Sequence, residues 1–346
     1  MKLSVARLIV QFLRETDVRY VFGLSGHSIF PLTDALYSAP EIRFVPALHE
    51  VSAAYMAAPY AKGTRSLGVC TASAGAGVTN LLTGIAYAHK ESIPVVVLAA
   101  DVSRNRAGRG ISSWHETPQR QMFAPITKFC TTVESPGQVL EALREGVDKA
   151  TSGRKGPVYI GIPRDLQNEE ADAPDLLCVR APVAPKEPER FLLDRVVKEI
   201  EEAAAPMIIA RGGVYWAQAE EELTELAELL SVPFGSTPSH KGLISEDHPL
   251  SVGVLGFGAF PFANAFCLEA DLILAVGVTF SEALTLGYGN KVISSGAKII
   301  QIDIDPDEIG KIYPAHLAVL GDAKTVLRAL IERLQDAGVR QKNPAR

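Results

Sequence analysis

The residues best suited to chemistry are an acid and a turn of small residues further along the chain. Glu50 follows a mainly apolar run at residues 42–48, and the turn, S-A-G-A-G-V-T-N, occupies residues 73–80. We expect Glu50 at the end of a buried strand, facing a glycine-rich turn that opens a helix. Burial favours the neutral form of a carboxyl group, which suits the group to exchanging a proton with a ligand. The sequence therefore predicts that Glu50 takes part in proton transfer.

The turn itself has two interpretations. Gly75 and Gly77 match half of the dinucleotide fingerprint G-x-G-x-x-G, but the third glycine is missing. The turn could simply let the following helix pack on its sheet. Alternatively, its small residues could let a flat ligand lie against the backbone at the carboxyl ends of the strands. His49 and Glu50 do not form the zinc motif H-E-x-x-H, so no metal site is predicted there.

Composition limits the class of protein. With 346 residues, 47% of them hydrophobic and 21% charged, the chain can form two folded domains. The net charge of -6 argues against a surface for nucleic acid or anionic membranes. The four cysteines are far apart and indicate buried thiols in a reducing compartment: Cys70, Cys130, Cys178 and Cys267. No secretory signal and no apolar stretch of roughly 18 residues occurs, so we expect a cytoplasmic protein.

The pattern of the first half is an alternation of helices and strands. Strands are predicted at residues 20–22, 43–45, 66–71, 94–98 and 157–162, and helices at 5–14, 29–36, 51–61, 78–88 and 136–151. The strand at 94–98 is continuously apolar, as is typical of a parallel sheet covered on both faces. Such alternation predicts an α/β domain of three α/β/α layers, which we assign to residues 1–170.

The second half repeats this pattern after a break. Residues 171–190 are dense in proline and polar, which is typical of a linker. Strands are then predicted at residues 207–210, near 232–233, at 271–276 and at 298–303, with helices at 191–204, 219–230 and 323–334. We assign residues 191–335 to a second, Rossmann-like domain with a mainly parallel sheet, and residues 336–346 to a tail.

Seven short segments occur in a fixed order along the chain. They are V-F-G-L-S-G-H at 21–27, L-H-E-V-S-A-A at 48–54, G-A-G-V-T-N at 75–80, M-F-A-P-I-T-K at 122–128, G-P-V at 156–158, K-G-L-I at 241–244 and Q-I-D-I-D-P at 301–306. Together they resemble motifs of the thiamine diphosphate-dependent enzymes, specifically the superfamily of acetolactate synthase and 2-oxo-acid decarboxylases. The resemblance implies a pyrimidine-binding domain followed by a central domain.

The resemblance also implies roles for residues of the first domain. In this family the glutamate that matches Glu50 holds N1′ of the cofactor's aminopyrimidine ring. Sharing that proton favours the imino tautomer, which removes the C2 proton of the thiazolium ring to give the nucleophilic ylid. By the same resemblance, Asn80, Gly26, Gly75 and Gly77 lie beside the cofactor.

Two histidines are further candidates. His115 occupies the place of a family glutamine that points into the active site, and His27 replaces a variable residue of the first loop. Histidine can contact a substrate or carry a proton near neutral pH. We therefore consider His27 and His115 as catalytic, and His115 also as cofactor-binding, although each could be an ordinary loop histidine.

The second domain departs from its FAD-binding relatives. Residues 277–283 read G-V-T-F-S-E-A where those relatives carry a G-V-R-F-D-D-R-like segment, so both arginines are replaced. Without these arginines the bidentate contacts to phosphate are lost, so we do not expect the domain to bind FAD. The turn at Gly212 and Gly213 could receive another nucleotide or could serve packing alone.

The family's G-D-G…N motif, which chelates Mg²⁺ and through it the diphosphate, does not follow Asp322. We therefore expect thiamine diphosphate to be shared with a partner chain that supplies Mg²⁺, in a homo- or hetero-oligomer; a truncated product would have the same sequence. The predicted function is that of a lyase or carboligase subunit acting on small 2-oxo acids or aldehydes, inactive without its partner. The alternative is a non-catalytic nucleotide-binding or regulatory module. The presence of an acid at position 50 argues against that alternative.

Overall fold

The computed structural model describes residues 2–173 and 187–339. The chain divides into two compact units, Met1–Pro182 and Val183–Arg346. Residues 174–186 of the predicted linker, residues 340–346 of the predicted tail, and Cys178 lie outside the described residues. Each unit contains a six-stranded sheet whose neighbouring strands all pair in parallel. The predicted fold class, two α/β/α domains with mainly parallel sheets, is confirmed.

The first unit alternates strands and helices along the chain. Its elements are β1 (Lys2–Ser4), α1 (Val5–Glu15), β2 (Tyr20–Gly23), α2 (Phe30–Tyr37), β3 (Arg43–Pro46), α3 (Glu50–Thr64), β4 (Gly68–Ala72), α4 (Ala76–Asn80), α5 (Leu82–Lys90), β5 (Val95–Asp101), α6 (Gln119–Phe123), β6 (Phe129–Thr132), α7 (Pro136–Thr151), β7 (Val158–Pro163) and β8 (Glu170–Asp172). The main sheet has the order β3-β2-β4-β5-β7-β6, and β1 pairs with β8 in an antiparallel ribbon.

Helices α1 and α3 show how the sequence builds the layers of this unit. In α1, Leu8, Ile9 and Phe12 recur at helical spacing and are buried. Helix α3 buries alanines instead, so its backbone can approach α5 closely. A β-carbon on Gly84 of α5 would lie 2.5 Å from the β-carbon of Ala54. Small residues on both helices therefore bring α3 and α5 into close contact.

Three of the predicted features differ in the structure, and strands β1, β6 and β8 were not predicted. The single helix predicted at residues 78–88 is two helices, α4 and α5, separated at Leu81. The strand expected near residues 232–233 lies at Phe234–Ser236 instead. Strand β3 is half-exposed at the edge of the sheet rather than buried, and Glu50 is the first residue of α3.

The second unit has a doubly wound sheet. Its elements are α8 (Arg190–Glu202), β9 (Pro206–Ala210), α9 (Gly212–Ala217), α10 (Glu220–Leu230), β10 (Phe234–Ser236), β11 (Ser251–Val254), α11 (Pro261–Leu268), β12 (Leu272–Val276), α12 (Glu282–Thr285), β13 (Lys298–Asp303), β14 (Leu317–Leu320) and α13 (Ala323–Asp336). The strand order is β11-β10-β9-β12-β13-β14, in which the chain order reverses between β9 and β12. This is the order of Rossmann-like sheets.

At the switch point of the second sheet, between β9 and β12, the turns that carry Gly213 and Gly277 pack directly against each other. The N–H of Gly213 donates to the carbonyl of Gly277 at 3.3 Å. A β-carbon on Gly213 would lie only 2.4 Å from the Cα of Gly277. Packing of the two turns therefore accounts for the glycine at 213, in agreement with the packing interpretation.

None of the helices within residues 2–173 and 187–339 has the length and apolar character needed to cross a membrane.

Candidate functional site

Glu50 is placed by the start of helix α3. His49 precedes it in an extended conformation, and His49 Nδ1 accepts a hydrogen bond from the N–H of Val51 at 3.2 Å, which caps the helix. A carboxylate in the first turn is stabilised by the helix dipole. The Glu50 side chain is 12% exposed, so it is sheltered but still open to a ligand.

The two oxygens of Glu50 have different surroundings. Oε2 accepts a hydrogen bond from Asn80 Nδ2 at 3.0 Å. Oε1 makes no hydrogen bond with any described residue, and it faces Gly77, where a β-carbon would lie 3.1 Å away. One oxygen is therefore held in place while the other remains an available acceptor beside a residue with no side chain. This arrangement can hold a ring N–H or share a proton with a flat heterocycle.

The glycine turn between β4 and α4 is fixed by backbone geometry. Gly75 has φ +77° and ψ -125°, a conformation that glycine adopts most readily. A β-carbon at Gly75 would lie 2.7 Å from the carbonyl oxygen of His115, and Val78 N–H donates to the carbonyl of Ser73 at 2.9 Å. Gly75 is thus required by the turn and its neighbour, whereas the absence of a side chain at Gly77 lets Oε1 of Glu50 lie close against the turn. These contacts support the packing interpretation of the turn, and the interpretation that a flat ligand lies against it stays a prediction.

The structure also places Gly26 and His115 against this turn. A β-carbon on Gly26 would lie 2.7 Å from that of Ser73, so the first loop passes close to the turn. His115 has φ +69°, an uncommon conformation for histidine, and its exposed ring stacks on Trp114 at 4.7 Å between centroids. Non-glycine residues in this conformation are concentrated at functional sites. The backbone of His115 therefore packs against the turn at Gly75, and a role for its imidazole in the site stays a prediction.

His27 lies in the loop after β2 and is exposed. Its ring packs edge-on against Phe30 at 6.4 Å between centroids. No hydrogen bond within residues 2–173 joins either His27 or His115 to Glu50. The geometry thus brings Glu50, Asn80, Gly75 and Gly77 together and leaves both imidazoles without a hydrogen bond to Glu50.

Two residues that hold the glycine turn, Ser28 and Gln119, were not identified from the sequence. Ser28 Oγ accepts a hydrogen bond from the N–H of Ala74 at 2.7 Å and lies 2.7 Å from Ser73 Oγ. Gln119 Oε1 accepts from the N–H of Gly75 at 2.6 Å. Both side chains are buried, and buried polar side chains need partners. Their partners are distant in sequence, so no local pattern could identify them.

The carboxyl end of strand β5 carries a further acid. Burial raises the pKa of Asp101, an effect that Glu116 reinforces and that a hydrogen bond from Val102 N–H partly offsets. Burial also raises the pKa of Tyr159 in the neighbouring strand β7. Within the described ranges, no group of three or more His, Cys, Asp or Glu residues is arranged to hold a metal ion.

Two family models match this chain. The N-terminal thiamine pyrophosphate-binding domain of thiamine pyrophosphate enzymes matches residues 3–124, and the central domain of the same enzymes matches residues 193–330. The resemblance inferred from the seven short segments is thereby confirmed.

Individual relatives agree with this assignment. The chain is 37% identical over 334 residues to a probable acetolactate synthase large subunit of Methanocaldococcus jannaschii, covering 95% of this chain and 56% of the relative. It is 35% identical to the acetolactate synthase large subunit of Corynebacterium glutamicum, covering 96% of this chain and 53% of that protein. It is 34% identical to an acetolactate synthase of Arthrospira platensis, covering 96% and 58% of the two chains. The chain thus spans about half the length of these relatives.

With both domain models matched in order and a Glu50 site formed at the glycine turn, the chain belongs to the thiamine pyrophosphate enzymes and is acetolactate synthase-like within them.

Proposed function

We propose that this chain is one part of a thiamine diphosphate-dependent lyase or carboligase that acts on small 2-oxo acids or aldehydes. The similarity to acetolactate synthase large subunits supports the reaction class. The observation that carries the proposal is the asymmetry of Glu50, whose Oε2 is held by Asn80 while Oε1 remains an available acceptor.

The residues of the site fit the aminopyrimidine half of the cofactor. Oε1 of Glu50 would accept a hydrogen bond from the ring, and the absence of a side chain at Gly77 lets Oε1 lie against the turn without a clash. Asn80 would keep the carboxylate in the required orientation. When bound, the cofactor supplies the carbanion chemistry that 2-oxo acids require. Glu50 holds and exchanges the proton at Oε1, which is general acid–base catalysis by a positioned carboxylate.

The two histidines have proposed roles on the substrate side. An imidazole can gain or lose a proton near neutral pH and can also donate a hydrogen bond to a carboxylate. His115 has its backbone against the turn at Gly75, and His27 lies one residue from Gly26, which packs on the same turn. We assign both rings to contacts with the 2-oxo acid or aldehyde, and His115 also to the cofactor.

The diphosphate and Mg²⁺ belong, in this proposal, to a partner chain with a G-D-G…N motif. Glu50 lies in the part of the chain that matches the N-terminal thiamine pyrophosphate-binding domain, which supports placing the pyrimidine side of the cofactor on this chain. The active particle would be an oligomer in which Glu50 and the partner's motif meet at one cofactor, and this chain would be inactive by itself.

The test compares two glutamate variants of the assembled particle. Glu50→Gln should reduce turnover of pyruvate by about 10²- to 10⁴-fold, the usual contribution of a positioned acid or base. Glu145→Gln is the matched control, because Glu145 is exposed on α7. Turnover that persists in Glu50→Gln, or that does not require added thiamine diphosphate, would contradict the proposal.

A second measurement uses this chain by itself. The pyrimidine alcohol 4-amino-5-hydroxymethyl-2-methylpyrimidine lacks the diphosphate and does not need Mg²⁺. Calorimetry should detect its binding to the wild-type chain and to Glu145→Gln, and should detect weaker binding to Glu50→Gln. Equal binding to all three would remove Glu50 from the cofactor site.

A further inference from the structure

Gln119 connects three parts of the first unit through one buried amide. Its side chain is 1% exposed and stands at the start of α6. Nε2 donates to the carbonyl of Ala100 at 3.1 Å and to the hydroxyl of Tyr159 at 3.3 Å, while Oε1 accepts from the N–H of Gly75 at 2.6 Å. The amide thus uses both its donor and its acceptor groups on buried partners.

The hydrogen bond from Gly75 N–H to Gln119 Oε1 ties the turn to α6, a separate segment of the chain. The adjacent amide, Ala74 N–H, donates to Ser28 Oγ at 2.7 Å. Two consecutive N–H groups of the turn are therefore held by side chains from two other segments, the first loop and α6. Neither N–H is satisfied by the turn itself, and a buried N–H that loses its acceptor is strongly disfavoured. Without Gln119 the turn would have to shift so that Gly75 N–H reaches another acceptor or water.

Such a shift would reach the carboxylate of Glu50. Gly75 immediately precedes α4, and α4 carries both Gly77, which faces Oε1, and Asn80, which donates to Oε2. Because α4 is a single short helix, a displacement at its start moves both contacts together. The orientation of Glu50 therefore depends on a side chain that does not touch it.

We propose that Gln119 is a positioning residue for the pyrimidine site, acting through the amide of Gly75 on Gly77 and Asn80. The inference rests on the proposed function of Glu50. A purely structural role for Gln119 is the competing explanation. It predicts lower stability on substitution, with no specific change at the turn or in ligand binding.

Tyr159 supplies the control that separates the two explanations. Tyr159→Phe removes one partner of Gln119 in the core but leaves the acceptor of Gly75 in place. Gln119→Met has a similar length and removes every hydrogen bond of the amide. Gln119→Glu serves as the conservative rescue, because a protonated carboxyl group can accept from Gly75 N–H and donate to the carbonyl of Ala100.

The experiment measures hydrogen–deuterium exchange of residues 73–80 and calorimetric binding of the pyrimidine alcohol, both on the full chain. Gln119→Met should raise exchange and weaken binding by about tenfold each, since a net hydrogen bond contributes roughly that factor. Gln119→Glu should restore protection of the turn. Tyr159→Phe should match wild type in both measurements, whatever its melting temperature.

The outcomes are distinct for the two proposals. Wild-type exchange and binding in Gln119→Met, or equal changes in Tyr159→Phe, would overturn the positioning role. Normal binding in Glu50→Gln would instead contradict the proposed function, while the exchange data would still decide whether Gln119 controls the turn. If Gln119→Met does not fold, Gln119→Asn withdraws the acceptor with a smaller change, and the same criteria apply to it.

Discussion

Asn80 Nδ2 donates to Oε2 of Glu50 at 3.0 Å, across a separation of 30 residues. The two residues come from different helices, Glu50 from the start of α3 and Asn80 from the end of α4. The bond leaves Oε1 as the acceptor available to a ligand. The two carboxylate oxygens are chemically equivalent, so the amide of Asn80 fixes the plane of the carboxyl group and thereby keeps one oxygen toward Gly77.

Asn80→Ala should lower the turnover of the assembled particle by about 10- to 100-fold, because a hydrogen bond to a charged group is lost where orientation matters. We expect the change mainly in kcat, measured by steady-state kinetics with pyruvate. Asn105→Ala is the control, since Asn105 lies exposed in a loop. Unchanged kinetics in Asn80→Ala would show that Glu50 needs no orientation from this side.

Gly75→Ala should destabilise the first unit by about 1–2 kcal/mol, since a non-glycine residue is strained at a left-handed φ. The new β-carbon would also meet the carbonyl oxygen of His115 at 2.7 Å. Gly137→Ala in α7 is the matched control, because nothing lies within 4 Å of its position and alanine favours helix. Chemical denaturation should show opposite signs for the two variants, and equal stability would exclude strain at Gly75.

Much of the layered architecture could be predicted from periodicity and caps. Helix α7 has the expected bounds, Pro136–Thr151, because Pro136 favours the first turn and apolar residues recur at helical spacing. Strand β13 also has its expected bounds, Lys298–Asp303. The break at Leu81 between α4 and α5 could not be predicted, since the residues on both sides of it suit a continuous helix.

The sequence could predict only those residues of the candidate site that lie in segments resembling family motifs. Glu50, Asn80 and the glycines lie in such segments, and the structure brings them together. Ser28 and Gln119 carry no local signal, because their partners, Ala74 and Gly75, lie more than forty residues away in sequence. The parallel order of the strands brings these distant segments together, because they follow β2, β4 and β5 at the same, carboxyl end of the sheet.

Gly213→Ala should destabilise the second unit, because the new β-carbon would meet the backbone of Gly277 at 2.4 Å. Backbone atoms cannot move aside as a side chain can, so we expect a loss of about 1–3 kcal/mol. Gly289→Ala is the control, since no atom lies within 4 Å of its position. Thermal unfolding of both variants would test the close packing of Gly213 against Gly277, and equal melting temperatures would contradict it.

Asp101→Asn should change how stability depends on pH. The pKa of Asp101 is raised in the folded chain by burial and by Glu116, so folding favours the protonated form. The destabilisation is therefore absent below the unfolded pKa of about 3.9 and develops as pH rises through the higher folded value. Asparagine keeps an oxygen that can accept from Val102 N–H but cannot ionise. Melting temperatures between pH 4 and pH 7 should show the variant close to wild type at the acid end and more stable at neutral pH, whereas a constant difference across the range would mean that Asp101 does not titrate as its burial implies.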